Sequence, residues 1–556
     1  MPPNPQPSAS SRPHSSPPHP SGHRQWLQPA FAFLIVALVY FYRIDKPPLW
    51  GDEADTGIAA RNILRCGYPT VCDGRNVSIF ENGSQLNRSL LSKKIPWIQY
   101  YLGAASLLIF GNNTTGLRLL FAFAGILAFF PIYAILKPRL RYPAILTTLT
   151  LLAPQVVLFQ RNARYYSLLI LIYAILTWHL LKDSKSSRNR LVATSLIFIL
   201  FFHTHPFAAL CSSLSLIVFG LFFRRAALVQ YIFACGIGFA CWLIWYQLLG
   251  PSLAETDLPI FVIKTDFSLW FKTFRSDLWA TIIDMDAVDC LPILLWAVLL
   301  AAFLSQGRNT LRNFFQEPLY AFVFINILIQ VVASAAVFGT DTSDDYSLLR
   351  YAPHLLVFGL VCTFMALNAV IVSKSFYLFA SMFAVAFNLL TITFWAKPVS
   401  RNIPASWLFP VYSEIFRPRE NAWDVVVSRL ENESKNVPGH DTTLGFLPDW
   451  TQEVAIFYLG DRYLISPTLD EPATECKQTL RNIMGDKAFN NLFAQPEWIV
   501  DFDSALESVP AGYDPAGVVP SFQTRPDNGS RPELTRHTFA QSTLGRNVKL
   551  FRLRKK

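Results

Sequence analysis

A ladder of long apolar runs, with charge confined to the gaps between them, constrains this chain more than any other feature. Runs lie at about 26–43, 117–136, 143–160, 167–181, 191–204, 206–223, 226–249, 290–306, 318–339, 353–373 and 375–396. A segment crossing a bilayer needs roughly 20 predominantly apolar residues. Inside lipid its backbone must satisfy its own hydrogen bonds, so such runs fold as helices. The overall 15% of charged residues is low against about 25% in soluble domains. The deficit falls on residues 26–396, and charge returns after Lys397. The expected fold is a polytopic α-helical membrane protein of about 11 transmembrane helices, followed by a soluble α/β domain at 397–556.

The gaps alternate in chemistry. Short basic gaps hold Lys137, Arg139 and Arg141; Lys182, Lys185, Arg188 and Arg190; Arg224 and Arg225; Arg308 and Arg312; and Lys374. By the positive-inside rule these are cytoplasmic. Longer acid-containing gaps at 44–116, 251–289 and 341–350 then face outward, as does the tail from 397. The apolar stretch Ile95–Phe110 is read as a helix lying on the outer surface, because one more span would invert every later gap. Residues 1–25 are rich in Pro, Ser and His and read as a disordered cytoplasmic tail. The first run lacks a small-residue cleavage site and reads as a retained span. In the tail, helical patterns (Ala422–Leu430, Gln452–Leu459) alternate with strand-like ones (Thr443–Leu447, Trp498–Phe502), and Pro510–Arg531 reads as a loop.

The net charge of +10 is accounted for by the basic gaps. No zinc-knuckle spacing, P-loop or basic stripe interleaved with aromatics is present, so nucleic acid is not an expected partner. Of eight cysteines, most sit in apolar runs as small hydrophobes. Cys66 and Cys72 share one outward loop, where a disulfide and two free thiols are both open.

Three outward clusters can carry chemistry. Asp52, Glu53 and Asp55 follow Trp50; they can serve as a general base or hold a divalent cation, Asp52 above all. They can equally be acids drawn to a helix N-terminus. Arg161, Arg164, Tyr165 and Tyr166 end the third run, and Arg350 and Tyr351 open a later one. Such residues anchor helices at an interface or hold a phosphate. Lys93 and Lys94 add outward positive charge, for which an anionic lipid ligand supplies a reason. His203 and His205 mark a polar break between two spans.

In order and spacing these residues resemble the GT-C class of integral-membrane glycosyltransferases. The resemblance is strongest to family 39, which includes protein O-mannosyltransferases and aminoarabinose transferases of lipid A. Its carriers are Asp52-Glu53 after the first span, the helix Ala54–Arg65, and the turn Gly67-Tyr68. Lys94 before Pro96-Trp97, Phe110-Gly111, Arg118-Leu119, the Arg161–Tyr166 motif and Arg350-Tyr351-x-Pro353 follow in order. Two positions depart: Lys93 stands where aminoarabinose transferases have Glu, and the Arg161–Arg164 motif lacks the family's Asp.

The resemblance implies a GT-C-like catalytic domain over 26–396 and a sugar donor linked to a polyprenyl phosphate. Lys94, Arg164 and Arg350, with Arg161 behind them, would stabilise the departing phosphate. Asp52 would take the acceptor hydroxyl's proton, Glu53 would orient it or bind a cation, and one displacement would invert the anomeric centre. Asp55, Tyr165, Tyr166 and Tyr351 would line the substrate. The acceptor would be a lipid, a glycan or a protein, with membrane lipids around it. No cofactor is implied beyond a divalent metal cation. A lipid-linked sugar flippase or transporter, and an oligosaccharide ligase or polymerase, are the competing readings.

Overall fold

The computed structural model describes residues 22–46, 48–79, 86–93, 95–182, 187–250, 316–338, 351–386, 422–434, 442–447, 451–467, 474–502, 512–519 and 548–554, with one to three residues at a time elsewhere. Lys94 and Arg350 lie outside the described residues.

The apolar runs form helices. In chain order these are α1 (Gly22–Phe41), α2 (Gly51–Cys66), α3 (Ile98–Phe110), α4 (Thr114–Leu127), α5 (Phe129–Leu136), α6 (Pro143–Leu151), α7 (Pro154–Gln160), α8 (Tyr166–Leu181), α9 (Ser187–Phe202), α10 (Pro206–Phe223), α11 (Leu228–Leu248), α12 (Pro318–Phe338), α13 (Pro353–Val370) and α14 (Lys374–Ala386). Among the described residues four helical segments are long and apolar enough to cross a membrane: Thr114–Leu136, Pro206–Phe223, Arg225–Leu248 and Pro353–Val370. Together with shorter apolar helices such as α8 and α12, they make the chain a multi-pass helical membrane protein. The run at 290–306 and the end of 375–396 fall mostly outside the described residues.

Two sequence expectations need correction. The run 143–160 is not one straight helix, because α6 and α7 meet at a 68° bend. Pro154 lacks an N–H and disfavours helical backbone in the residue before it, and Ala153 is extended at φ −57°, ψ 133°. The bend drops the end of α7, and Arg161 with it, beside the C-terminus of α1. The second correction is to Pro510–Arg531, where Tyr513–Val519 is a strand rather than loop. It pairs antiparallel with Val548–Leu553, with a register shift between Pro515 and Gly517. It lies at the sheet edge, where a proline is tolerated. Local turn chemistry hides a strand whose partner comes about thirty residues later.

α3 is 13 residues long, about 20 Å at 1.5 Å per residue, too short for a hydrocarbon core of roughly 30 Å. It packs against α2 and α4, leaving Leu108 and Ile109 exposed. Within the bundle, Asn326 on α12 donates to both Ser212 and Ser215 on α10, each at 3.1 Å. Such polar contacts hold helices together where lipid removes the hydrophobic drive.

The C-terminal region contains α15 (Ala422–Ser434), α16 (Gln452–Leu459), α17 (Thr474–Met484), α18 (Asp486–Leu492) and a five-stranded sheet. The strands are β1 (Thr443–Leu447), β2 (Leu464–Ile465), β3 (Trp498–Asp501), β4 (Tyr513–Val519) and β5 (Val548–Leu553), in the order β2-β1-β3-β5-β4. The first three in that order are parallel and the last two antiparallel. One apolar core runs through Leu49, Ala54, Ile58, Leu117 and Phe121 into Trp423, Phe446, Val454 and Phe457. The helix that carries the acids therefore shares its core with the sheet.

Candidate active site

Asp52, Glu53 and Asp55 sit in the first turn and a half of α2, where unpaired N–H groups favour acids. The helix ends at Gly67, left-handed at φ 86°, whose N–H closes on the Ile63 carbonyl at 2.8 Å. Only glycine takes that backbone without strain.

The three acids have separate partners. Glu53 is fully buried. Arg118 of α4 donates to both of its carboxylate oxygens, Nε at 2.8 Å, and the Ala163 N–H donates to it at 2.7 Å. Arg118 also donates to the Ile44 and Pro48 carbonyls. This is a fork-to-fork pair in a buried site, and it ties α2, α4 and the α7–α8 turn together.

Asp52 is half-buried. Its Oδ2 takes a hydrogen bond from Nη2 of Arg164 at 2.7 Å, and its backbone carbonyl takes a second from Nη1 at 3.2 Å. Burial opposes the charge on Arg164, but Asp52 outweighs it and holds the guanidinium above its ordinary value. The Nε of Arg164 is buried without a hydrogen-bond partner, so the cation keeps one donor unspent. An orphaned donor of this kind is costly.

Asp55 lies one turn after Asp52. Its Oδ2 is 3.4 Å from the Tyr100 hydroxyl, a long bond. Burial pushes its carboxyl up to about 6, with Arg164 pulling down and Asp52 pushing up.

Arg161 is placed differently from its expected role. Nη1 donates to the carbonyls of Val39, Tyr40 and Tyr42 at 2.6, 3.1 and 2.8 Å, and Nη2 to those of Arg43 and Lys46. These are the last carbonyls of α1 and the turn after it, which the helix cannot satisfy itself. Burial and the neighbouring Arg118 lower its guanidinium to about 10. Arg161 thus caps a helix, while Arg164, three residues on, faces the acids.

No family model and no curated protein matches the sequence. Two solved structures of ArnT from Cupriavidus metallidurans do match the architecture. One is bound to undecaprenyl phosphate, at TM-score 0.51 and 14% identity, and one is in the apo state, at TM-score 0.51 and 16% identity. Each match covers 86% of this chain and 93% of that chain. The chain has the ArnT fold.

Within the ArnT fold of this chain, the aromatic residues of the candidate site line up beyond Arg164. Its guanidinium lies 5.5 Å from the Tyr165 ring. The Tyr165 ring meets Tyr166 edge-on at 4.6 Å and lies tilted to His205 at 4.5 Å, and His205 lies 5.8 Å from Tyr351. The structure therefore brings Asp52, Asp55, Arg164, Tyr165, Tyr166 and Tyr351 into one contiguous set. His203-Thr204-His205 is a break between α9 and α10, and Nδ1 of His205 caps α10 by accepting the Ala208 N–H at 3.1 Å. Lys93 donates to the Gly250 carbonyl at 2.5 Å and sits 4.1 Å over the Tyr246 ring, so it caps α11. Cys66 is exposed, Cys72 is buried, and both are free thiols.

Among the described residues no three His, Cys, Asp or Glu side chains converge as a metal site. Asp52 instead has a guanidinium as counter-ion. Tyr100, Gln99, Asn162 and Tyr458 are the neighbours that sequence reasoning missed. Gln99 accepts the Tyr165 N–H at 3.1 Å, and Asn162 accepts from the Trp50 indole at 3.2 Å. Their one signal is uncharged polarity beside apolar runs, which many interfacial residues share.

Proposed function

We propose that this chain is a glycosyltransferase that moves a sugar from a polyprenyl-phosphate-linked donor to an acceptor at the outer face of the membrane. The Asp52–Arg164 pair carries the reading. It sets a proton acceptor beside a phosphate-stabilising cation where the polar loops meet the helix bundle. Asp52 takes the acceptor hydroxyl's proton, the hydroxyl oxygen bonds to the anomeric carbon, and the phosphate leaves with the electron pair of the broken bond. One displacement inverts the centre. Arg164, together with Lys94 and Arg350, stabilises the phosphate as its charge develops. Tyr165, Tyr166 and Tyr351 line the sugar and headgroup. Residues 26–396 form the catalytic membrane domain and 397–556 stand on the same outer side of a plasma membrane. The ArnT structure bound to undecaprenyl phosphate supports a polyprenyl phosphate as the lipid partner.

Mass spectrometry of cell-envelope glycans with and without the protein tests this reading. Loss of one sugar substituent in the deletion supports it. An unchanged glycan profile, with purified protein releasing no undecaprenyl phosphate from undecaprenyl-phosphate hexoses or pentoses, refutes it.

Asp55 gives a pH prediction. Above about 6 its carboxylate is charged and balances Arg164; below that value it is neutral. Transfer is therefore expected to fall as pH drops through about 6, and Asp55→Asn is expected to lack this limb in a pH–rate profile. Stability moves the other way. The folded-state value lies above the ordinary 3.8, so the cost of burying the charge grows between those two values and is complete above them. Asp55→Asn should stabilise the fold at neutral pH by ~2 kcal/mol, seen as a raised Tm in detergent. An unchanged or lowered Tm there contradicts the burial argument.

A further inference from the structure

The two halves of the Asp52–Arg164 pair come from different elements. Arg164 belongs to the α7–α8 turn of the bundle. Asp52 belongs to α2, and α2 is gripped along its length by the C-terminal region. Phe457 of α16 lies against Gly57, where a Cβ would overlap its ring. Arg61 sits 4.1 Å over the same ring and donates to the Phe457 carbonyl. Beyond the end of α2, Asn76 donates to the Gly460 and Tyr463 carbonyls and accepts the Ile465 N–H. Near the acids the C-terminal region holds the segment before α2 at two described points: Asp424 pairs with Lys46 at 3.0 Å, and, closer to Asp52, the Tyr458 hydroxyl accepts the Leu49 N–H at 2.9 Å. That hydroxyl is also 2.8 Å from Thr114 Oγ1, so it can accept from one partner and donate to the other.

Leu49 is fully buried, three residues before Asp52. The N-cap of α2, Trp50, makes no capping hydrogen bond with its side chain. Without Tyr458 the Leu49 N–H would be a buried donor lacking this partner, which favours a shift of the segment toward water. A shift of about 1 Å in a reacting group is enough to cost catalysis heavily.

We infer that Tyr458 is a positioning residue, through which the C-terminal region sets the start of α2 and hence the placing of Asp52 against Arg164. The role rests on the reading of Asp52 as the proton acceptor. It gives the C-terminal region a task in the reaction although no acid or base from it reaches Asp52 among the described contacts.

Tyr458→Phe keeps the ring and removes the hydroxyl. In the full-length protein it should lower kcat for release of undecaprenyl phosphate from undecaprenyl-phosphate sugars about tenfold, with KM within about twofold. Amide hydrogen exchange should speed up over residues 49–54 and stay unchanged in α8. Thr114→Val leaves the Leu49 partner in place and should lower kcat less than about threefold. Faster exchange at 49–54 with unchanged kcat overturns the positioning role. So does a rise in KM alone, or a loss of kcat with exchange unchanged. Each of these three outcomes leaves the transferase reading standing. A wild-type protein that releases nothing from these donors refutes the transferase reading itself, and the exchange measurement then reports only on the grip.

Discussion

Asp52→Asn is expected to lower sugar transfer by roughly two to four orders of magnitude, the usual worth of a positioned general base. Asparagine is the informative replacement because its amide oxygen can still accept from Arg164 Nη2, which bonds the Asp52 carboxylate at 2.7 Å. Alanine would also leave a buried guanidinium without its carboxylate, confounding chemistry with stability. The measurement is release of undecaprenyl phosphate by purified protein, beside a melting curve for each variant. Large loss of turnover with a retained melting temperature supports Asp52 as the proton acceptor. Undiminished turnover in Asp52→Asn removes it from that role, and would move attention to Asp55.

The second large effect concerns stability. Arg118→Leu is expected to destabilise the protein by about 3–5 kcal/mol, because Glu53 would remain a fully buried charge with its main partner gone. The Ile44 and Pro48 carbonyls would lose their donor as well. Adding Glu53→Gln to Arg118→Leu should recover part of that loss, since a neutral amide is cheaper to bury and can still accept the Ala163 N–H. Thermal unfolding in detergent of the two single variants and the double reads the coupling directly. A single Arg118→Leu variant as stable as the parent would show that Glu53 does not depend on Arg118 for its burial.

Glu53 and Arg161 show how residues of one type divide between tasks. Asp52 and Glu53 are neighbours in an acidic run, and Arg161 and Arg164 are neighbours in a basic one. The helical turn sends Asp52 to the half-open site and Glu53 into the core with Arg118. The end of α7 sends Arg161 to the carbonyls of α1 and Arg164 to Asp52. A pattern of charges names candidates but does not rank them, because rank depends on which face of a helix each residue takes and what stands opposite. Lys94 and Arg350 remain proposals for the phosphate on their charge and their place beside Lys93 and Tyr351.

What the sequence determined by itself is the class of structure and which residues are candidates for the site. Apolar run length requires membrane helices, because lipid offers no partner to an open backbone. Acids after Trp50 open a helix because local N–H groups favour them. Tertiary structure alone decided the pairings. Glu53 meets Arg118 across 65 residues, Asp52 meets Arg164 across 112, and the Leu49 N–H meets Tyr458 across 409. Such contacts leave no periodicity or spacing to read. They form because folding buries these groups together, where an unpaired charge or donor costs more than an ordered one.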